Sequence, residues 1–332
     1  MQVDIKTTSV TQLRNTFSNV ARRLGGDKPA SRYQEATFDL QPEVNFHYRP
    51  LWDPRFELYD KKRTKIVMRD WYAFMDPRQY YYGAYTIARS RQQETMEKNT
   101  EFVESRGLLR NLPDDARAKV VEAVLPLRHV EWAANMNNCQ ITALGWGTAI
   151  TQATMYNTMD RLGLAQYVTR IGLLLDGNSG ETLVQAKQLW LEDAAWQGVR
   201  RYVENTLVVE DWFELFVAQN VILDGLVYPL VYQHFDSRFA TEHGPALSMI
   251  TSFMGGWFDE TRRWVDATLK VAATESQENA ALLAEWVARW KQEGLEALKP
   301  LATRYAGEDG VAILENVAAE LQARVEKVGV RA

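Results

Sequence analysis

The sequence predicts an all-α fold, and three observations carry that prediction. From about Arg78 almost to the C-terminus, apolar residues recur at helical spacing. Strand signals are few, Lys65 to Met68 being the best candidate. The periodic stretches are long and are flanked by shorter ones, a pattern that suits a helical bundle with a long crossover.

Taken in order, the first ~77 residues stand apart. They hold prolines at 29, 42, 50, 54 and 77, and the segment NFHYRPLWDPRFELYD carries Phe46, His47, Tyr48, Trp52, Phe56 and Tyr59 without a sustained helical period. Pro50 and Pro54 break any helix there and push the residues before them to extended geometry. A structureless stretch of this length sits poorly inside a compact domain. We read residues 1–77 as an extended arm whose exposed rings lie on a partner, with a meander packed on its own domain as an equal alternative. Residues 78–332 form the helical domain.

Within that domain, Tyr81, Tyr85 and Ala88 begin a helix reaching about Arg106. Its Glu94, Glu97, Glu101 and Glu104 fall near one face, as a solvated face does. Asp114 after Pro113 is a helix start, and this helix is expected to run to roughly Thr142. Gly145 and Gly147 precede another, and Asp176 to Gly180 (DGNSG) is a turn. Shorter helices are expected over about 181–191 and 194–207. A long helix from Asp211 to Phe239 is expected to kink at Pro229. Another covers 245–271, and 278–292 and 311–328 read as surface helices.

Composition excludes several function classes. With 38 basic against 43 acidic residues and a formal charge of -5, no basic stripe for nucleic acid is expected. The N-terminal 20 residues lack the apolar core of a signal peptide. No run is expected to reach the ~18 apolar residues of a membrane span, and the chain reads as cytoplasmic. Cys139 is the single cysteine; it has no disulfide partner and is expected to be a small core residue. Aromatics make up 11% of the chain, including 11 Trp, and such rings favour cores and protein interfaces.

No phosphate-binding glycine loop and no nucleophile elbow occur. A di-iron site in a helical bundle usually needs Glu-x-x-His on two helices plus a lone Glu on two others. The residues three before the four histidines are Val44, Pro126, Val231 and Ala240, so that site cannot be assembled. A carboxylate-only metal site stays open. So does a small-molecule or haem binder with His129 or His234 as ligand, although a lone helical histidine is usually a structural residue.

Several longer strings point to a family. KPASRYQEATFDLQPEVNFHYRPLWDP (28–54), DPRQYYYGAYTIAR (76–89), PLRHVEWAANMNN (126–138), DRLGLAQYVTRIGLLLDG (160–177), DWFELFVAQNVILDGLVYPLVYQ (211–233) and the helix around Trp257 to Asp266 resemble the β subunit of the oxygenase component of bacterial phenol and toluene monooxygenases, most closely the phenol hydroxylase branch. The resemblance implies a ferritin-like helical bundle with additional helices and an extended N-terminal arm. It implies a catalytic α subunit holding the di-iron centre, a small γ subunit, and an α2β2γ2 oxygenase. A small cofactorless regulatory protein and a flavin/iron–sulfur reductase fed by NADH would be transient partners, and the reaction would be phenol to catechol.

By that resemblance the β subunit is a relative of α that lost its metal, so this chain would hold no cofactor. Pro126-Leu127-Arg128-His129 keeps the His of the α motif and replaces its Glu; Asp259-Glu260-Thr261-Arg262-Arg263 keeps the Glu and replaces the His with Arg. Glu94 or Glu97, and Asp224 or Glu214, are candidates by spacing for the two lone glutamates. Arg263 cannot ligate a metal but can neutralise a buried carboxylate, and Asp224 lies in an apolar run where an unpaired charge is costly. Some of Arg128, His129, Asp224, Glu260 and Arg263 are therefore expected to form buried ion pairs where α holds iron.

Overall fold

The computed structural model describes residues 16–25, 29–43 and 48–331, and among them there is no strand. Twelve helices order the described chain: α1 Ser18–Leu24, α2 Arg32–Thr37, α3 Tyr82–Ser105, α4 Asp114–Ala123, α5 Leu127–Leu144, α6 Thr148–Asp176, α7 Glu181–Glu192, α8 Ala194–Thr206, α9 Trp212–His243, α10 Ala246–Glu275, α11 Gln277–Ala306 and α12 Gly310–Lys327. Local chemistry explains many of the ends. Asp211 caps α9 through the backbone N–H groups of Phe213 and Glu214, and Ser276 caps α11 through that of Asn279. Gly177, left-handed at φ 66°, closes α6 inside the expected DGNSG turn.

The helix expected from Asp114 to Thr142 is two. Turns over Val124–Pro126 separate α4 from α5, and Pro126, lacking an N–H, cannot continue a helical ladder from α4. Helices α5 and α6 then run antiparallel, with Glu131 beside Arg161, Asn138 beside Asn157 and Thr142 beside Thr154. Together with α9 and α10 they surround the centre of the bundle, and α3 packs outside α10.

Helix α9 is long and apolar enough to pass as a membrane span, contrary to the expectation of no such run, but it is mostly buried in the fold. It is the core helix. It does not break at Pro229. Its backbone widens to π-helical turns over Val217–Leu223 and Leu230–Phe235, which shift hydrogen-bond register around the missing N–H. Helix α11, expected on the surface, buries Leu283, Trp286, Val287 and Trp290 on one face.

Among the described residues before Arg78, the stretch from Ile66 to Phe74 packs on the helical domain, as the meander alternative has it. Ile66, Met68, Trp71 and Phe74 belong to the same core as the bundle. The expected strand Lys65–Met68 is extended but pairs with a side chain, because the Asn279 carboxamide accepts from Val67 N (3.1 Å) and donates to Val67 O (2.9 Å). Arg23 bridges Asp39 and Asp70 at 2.6 and 2.5 Å. Farther along, Leu51 and Trp52 stand out from the body, Trp52 being 68% exposed.

Close packing of α8 on α11 leaves no room for a side chain at Gly198. A Cβ on Gly198 of α8 would lie 2.8 Å from the carbonyl oxygen of Ala297 on α11, whereas one on Gly255 of α10 would meet nothing within 4 Å. Gly198→Ala is expected to destabilise the chain by about 1–3 kcal/mol, and Gly255→Ala to stabilise it by roughly 0.5–1 kcal/mol. Chemical denaturation of both variants checks the pair.

Candidate functional site

Two charged clusters lie on either side of α6, built from its adjacent residues Asp160 and Arg161. Arg161 is fully buried at the centre of the bundle. Its guanidinium donates to Glu131 of α5 at 2.9 Å, to the Tyr228 hydroxyl of α9 at 3.1 Å, and to Asp224 of α9. Each remaining carboxylate oxygen also has a donor: Tyr228 bonds Glu131 at 2.7 Å and the Gln219 amide bonds Asp224 at 2.9 Å. The π-helical turn of α9 matters here. It directs Gln219 and Asn220 inward along with Asp224, so all three are buried. Gln219 meets Asn137 at 2.9 Å, and Asn138, Asn157 and Asn220 bond one another within 3.2 Å.

Burial pushes the Asp224 carboxyl up to about 6, against the pull of Arg161, with the Glu131 charge adding to the rise. Burial pulls the Arg161 pKa down, but Asp224 and Glu131 outweigh it and hold the pKa above the usual arginine value. Burial thus dominates at Asp224, and the two neighbouring carboxylates dominate at Arg161.

The second cluster is half-buried. Arg89 of α3 grips Asp160 with two bonds of 2.7 Å and reaches Glu260 of α10 at 3.0 Å. Tyr80 donates to Glu260 at 2.8 Å, and Tyr85 to Asp160 at 2.9 Å. Burial raises the Glu260 carboxyl, but Arg89, the Tyr80 hydroxyl and the Arg78 charge together outweigh it and leave it below its ordinary value. Trp257 of α10 joins the clusters: its indole N–H donates to Asp160 at 2.9 Å while its ring lies 4.5 Å from the Arg161 guanidinium carbon.

The expected site residues thus divide. Asp224 is central and Glu260 sits in the outer cluster, but their partners are Arg161 and Arg89 rather than Arg128 or Arg263. Arg263 is exposed and Arg128 is half-buried away from both clusters. His129 turns from the centre and stacks on Trp190 of α7, with ring centroids 5.5 Å apart. The spacing candidates Glu94, Glu97 and Glu214 are peripheral: Glu94 is exposed, Glu97 pairs with Arg170 at 2.7 Å, and Glu214 pairs with Arg289. His234, the other haem candidate, is exposed. Cys139, expected in the core, is also exposed, because the buried stripe of α5 runs through Ala134, Asn138 and Ile141 instead. Phe46 and His47 lie outside the described residues.

Glu131, Arg161, Arg89 and Asp160 escaped the reading of sequence. Asp224 was visible because it interrupts an apolar run. Asp160 and Arg161 are adjacent and resemble a surface pair, yet both fall among buried positions of α6.

Burial, with the nearby Arg128 and Lys187 cations adding to it, pushes the His129 imidazole down to about 4. The folded state then resists protonation that the unfolded chain accepts near pH 6.5. Stability linked to His129 is complete above pH 6.5 and lost as pH falls from there toward 4. After discounting for partial exposure, the loss is about 1–2 kcal/mol. His129→Gln should flatten that part of the stability–pH curve relative to the parent, measured by urea unfolding at pH 7 and 4.5.

The central donor set does not fit a di-iron pair. No imidazole reaches the centre, all four oxygens of Glu131 and Asp224 already accept protein hydrogen bonds, and a permanent cation stands between them. Among the described residues no group of three or more His, Cys, Asp or Glu side chains could hold a metal ion.

Comparison with known proteins places this architecture. Residues 52–276 match the family model described as methane/phenol/alkene hydroxylase. The chain is 48% identical over 331 residues to the phenol 2-monooxygenase oxygenase component DmpL of Pseudomonas sp. (strain CF600), covering 100% of this chain and 99% of that one. It is 22% identical to the toluene-4-monooxygenase hydroxylase component subunit beta of Ectopseudomonas mendocina, over 82% of this chain and 79% of that one. A chain of the crystal structure of xenon-pressurized phenol hydroxylase from Pseudomonas sp. OX1 superposes with a TM-score of 0.93 at 46% identity, covering 99% of each. A bundle whose helices are those of a hydroxylase, but whose centre holds an arginine between two acids, is therefore a member of the methane/phenol/alkene hydroxylase family.

Proposed function

We propose that this chain is the non-catalytic β subunit of the oxygenase component of a multicomponent phenol hydroxylase, the enzyme that converts phenol to catechol with dioxygen and electrons from NADH. The observation that carries the reading is the Arg161 guanidinium buried between Glu131 and Asp224. The iron pair that activates dioxygen then belongs to the catalytic α subunit, and this chain's part is to brace it. A γ subunit would complete an α2β2γ2 assembly in the cytoplasm, with a regulatory protein and a flavin/iron–sulfur reductase docking transiently.

Two surfaces favour a partner. Trp132 and Met136 of α5 and Met155, Met159 and Leu162 of α6 are all exposed, and the antiparallel pairing of these helices sets them side by side. The exposed positions of α5 from 132 to 143 and of α6 from 151 to 165 include no charged residue. A soluble protein rarely leaves such a face uncovered, and we assign it to the α subunit. The rings of Tyr48, Trp52, Phe56 and Tyr59 form the second surface. Tyr59 also packs on the core, and Phe56 lies 4.9 Å from the Arg63 guanidinium carbon.

Reconstitution tests this function. Phenol turnover by the α and γ subunits with the regulatory protein, reductase and NADH should require this chain. Full turnover without it would overturn the reading.

A further inference from the structure

We infer that Arg161 is a built-in cation that keeps divalent metal out of a carboxylate site which the four central helices still form. This deepens the reading of the chain as the iron-free subunit, by naming the device that keeps it so. Glu131 and Asp224 come from different helices, yet each bonds a terminal nitrogen of the same guanidinium. Their inner oxygens therefore face one point. Their other oxygens accept from Tyr228 at 2.7 Å and Gln219 at 2.9 Å, so each carboxylate keeps a hydrogen-bond donor besides Arg161. The Tyr228 hydroxyl lies 3.1 Å from the same guanidinium.

Such a centre is an oxygen-donor pocket with one side chain filling it. Without the guanidinium, two carboxylates and a phenol face a void in a buried site. Hard divalent cations such as Mn2+ take that donor type, and water entering the vacated space can complete the coordination. The buried charge supplies the drive. Unpaired carboxylates in a core are costly, and an entering dication removes that cost as the arginine did. Trp257 packs against one face of Arg161 and anchors its indole N–H on Asp160, so this wall of the pocket keeps its place when Arg161 is shortened.

The full chain carrying Arg161→Ala, Arg161→Lys, or Arg161→Ala with Glu131→Gln and Asp224→Asn is titrated with Mn2+. Loss of the free-ion EPR signal reports binding, and thermal unfolding reports linkage. Arg161→Ala should bind one Mn2+ per chain at least 10-fold more tightly than the parent, and Mn2+ should raise its melting temperature. The lysine and the triple variant should behave as the parent does. Arg161→Ala is also refolded with Mn2+ and with EDTA, so that a variant unstable without metal still reports: recovery of helical circular dichroism only with Mn2+ supports the inference. Failure in both, equal binding by parent and variant, or equal binding by the triple variant overturns it. Iron in the unaltered chain would instead overturn the subunit reading, so the two failures are distinct.

Discussion

Arg161→Met should cost the chain about 3–5 kcal/mol, because it strands two carboxylates in the core. Asp224 is already pushed up to about 6 with Arg161 present, so removing the cation raises it further. The variant should consequently lose most stability above pH 6 and recover part of it as the pH falls and the acids protonate. The sign follows from linkage: a carboxyl whose folded pKa exceeds its unfolded value makes the fold less stable as pH rises between the two. Adding Glu131→Gln and Asp224→Asn to Arg161→Met should restore much of the loss, since neutral replacement of a buried ion cluster is often tolerated. Urea unfolding of the single and triple variants at pH 5 and 8 separates electrostatic from packing cost. A triple variant as unstable as the single one would show that Arg161 acts through its volume and its contact with Trp257.

Trp132→Glu combined with Met159→Glu should weaken association with the α subunit by at least 100-fold while leaving the isolated chain folded. Trp132 is 53% exposed and Met159 40% exposed, so neither charge is buried in the free subunit. In an interface core both would be desolvated without partners, and a central aromatic anchor would be lost. Size-exclusion chromatography of the co-expressed subunits reads the result. Retention of the full assembly would move the α contact to another face.

The fold was legible because period and punctuation agree over most of the chain. Gly145, Gly147 and the Asp176–Gly180 turn bracket α6 where the apolar repeat says they should. The failures have physical causes. Pro126 divides a stretch whose apolar spacing runs straight through it, because spacing does not register a lost N–H. In α9, π-helical turns lie on both sides of Pro229, a widening that apolar spacing does not register. Between an arm and a packed meander the sequence could not choose, because the Asn279 carboxamide that holds Val67 lies more than 200 residues away.

The site was half legible. Asp224 declares itself as a charge inside Val221–Val231. Its counter-ion does not, since Arg161 lies on another helix, 63 residues away, and follows Asp160 directly. Matching Arg128-His129 to a family motif drew attention to the wrong face of α5. Two positions later Glu131 faces the centre, whereas His129 faces Trp190. Motif letters locate a helix; only the packing decides which of its faces is inside.

Metal analysis tests the central claim most directly. The oxygenase is purified from cells expressing this chain with its α and γ subunits, the subunits are separated without chelators, and iron is measured in each. The account predicts iron in the α subunit and none above background in this chain, whose Glu131 and Asp224 are occupied by Arg161. Stoichiometric iron in this chain would contradict it.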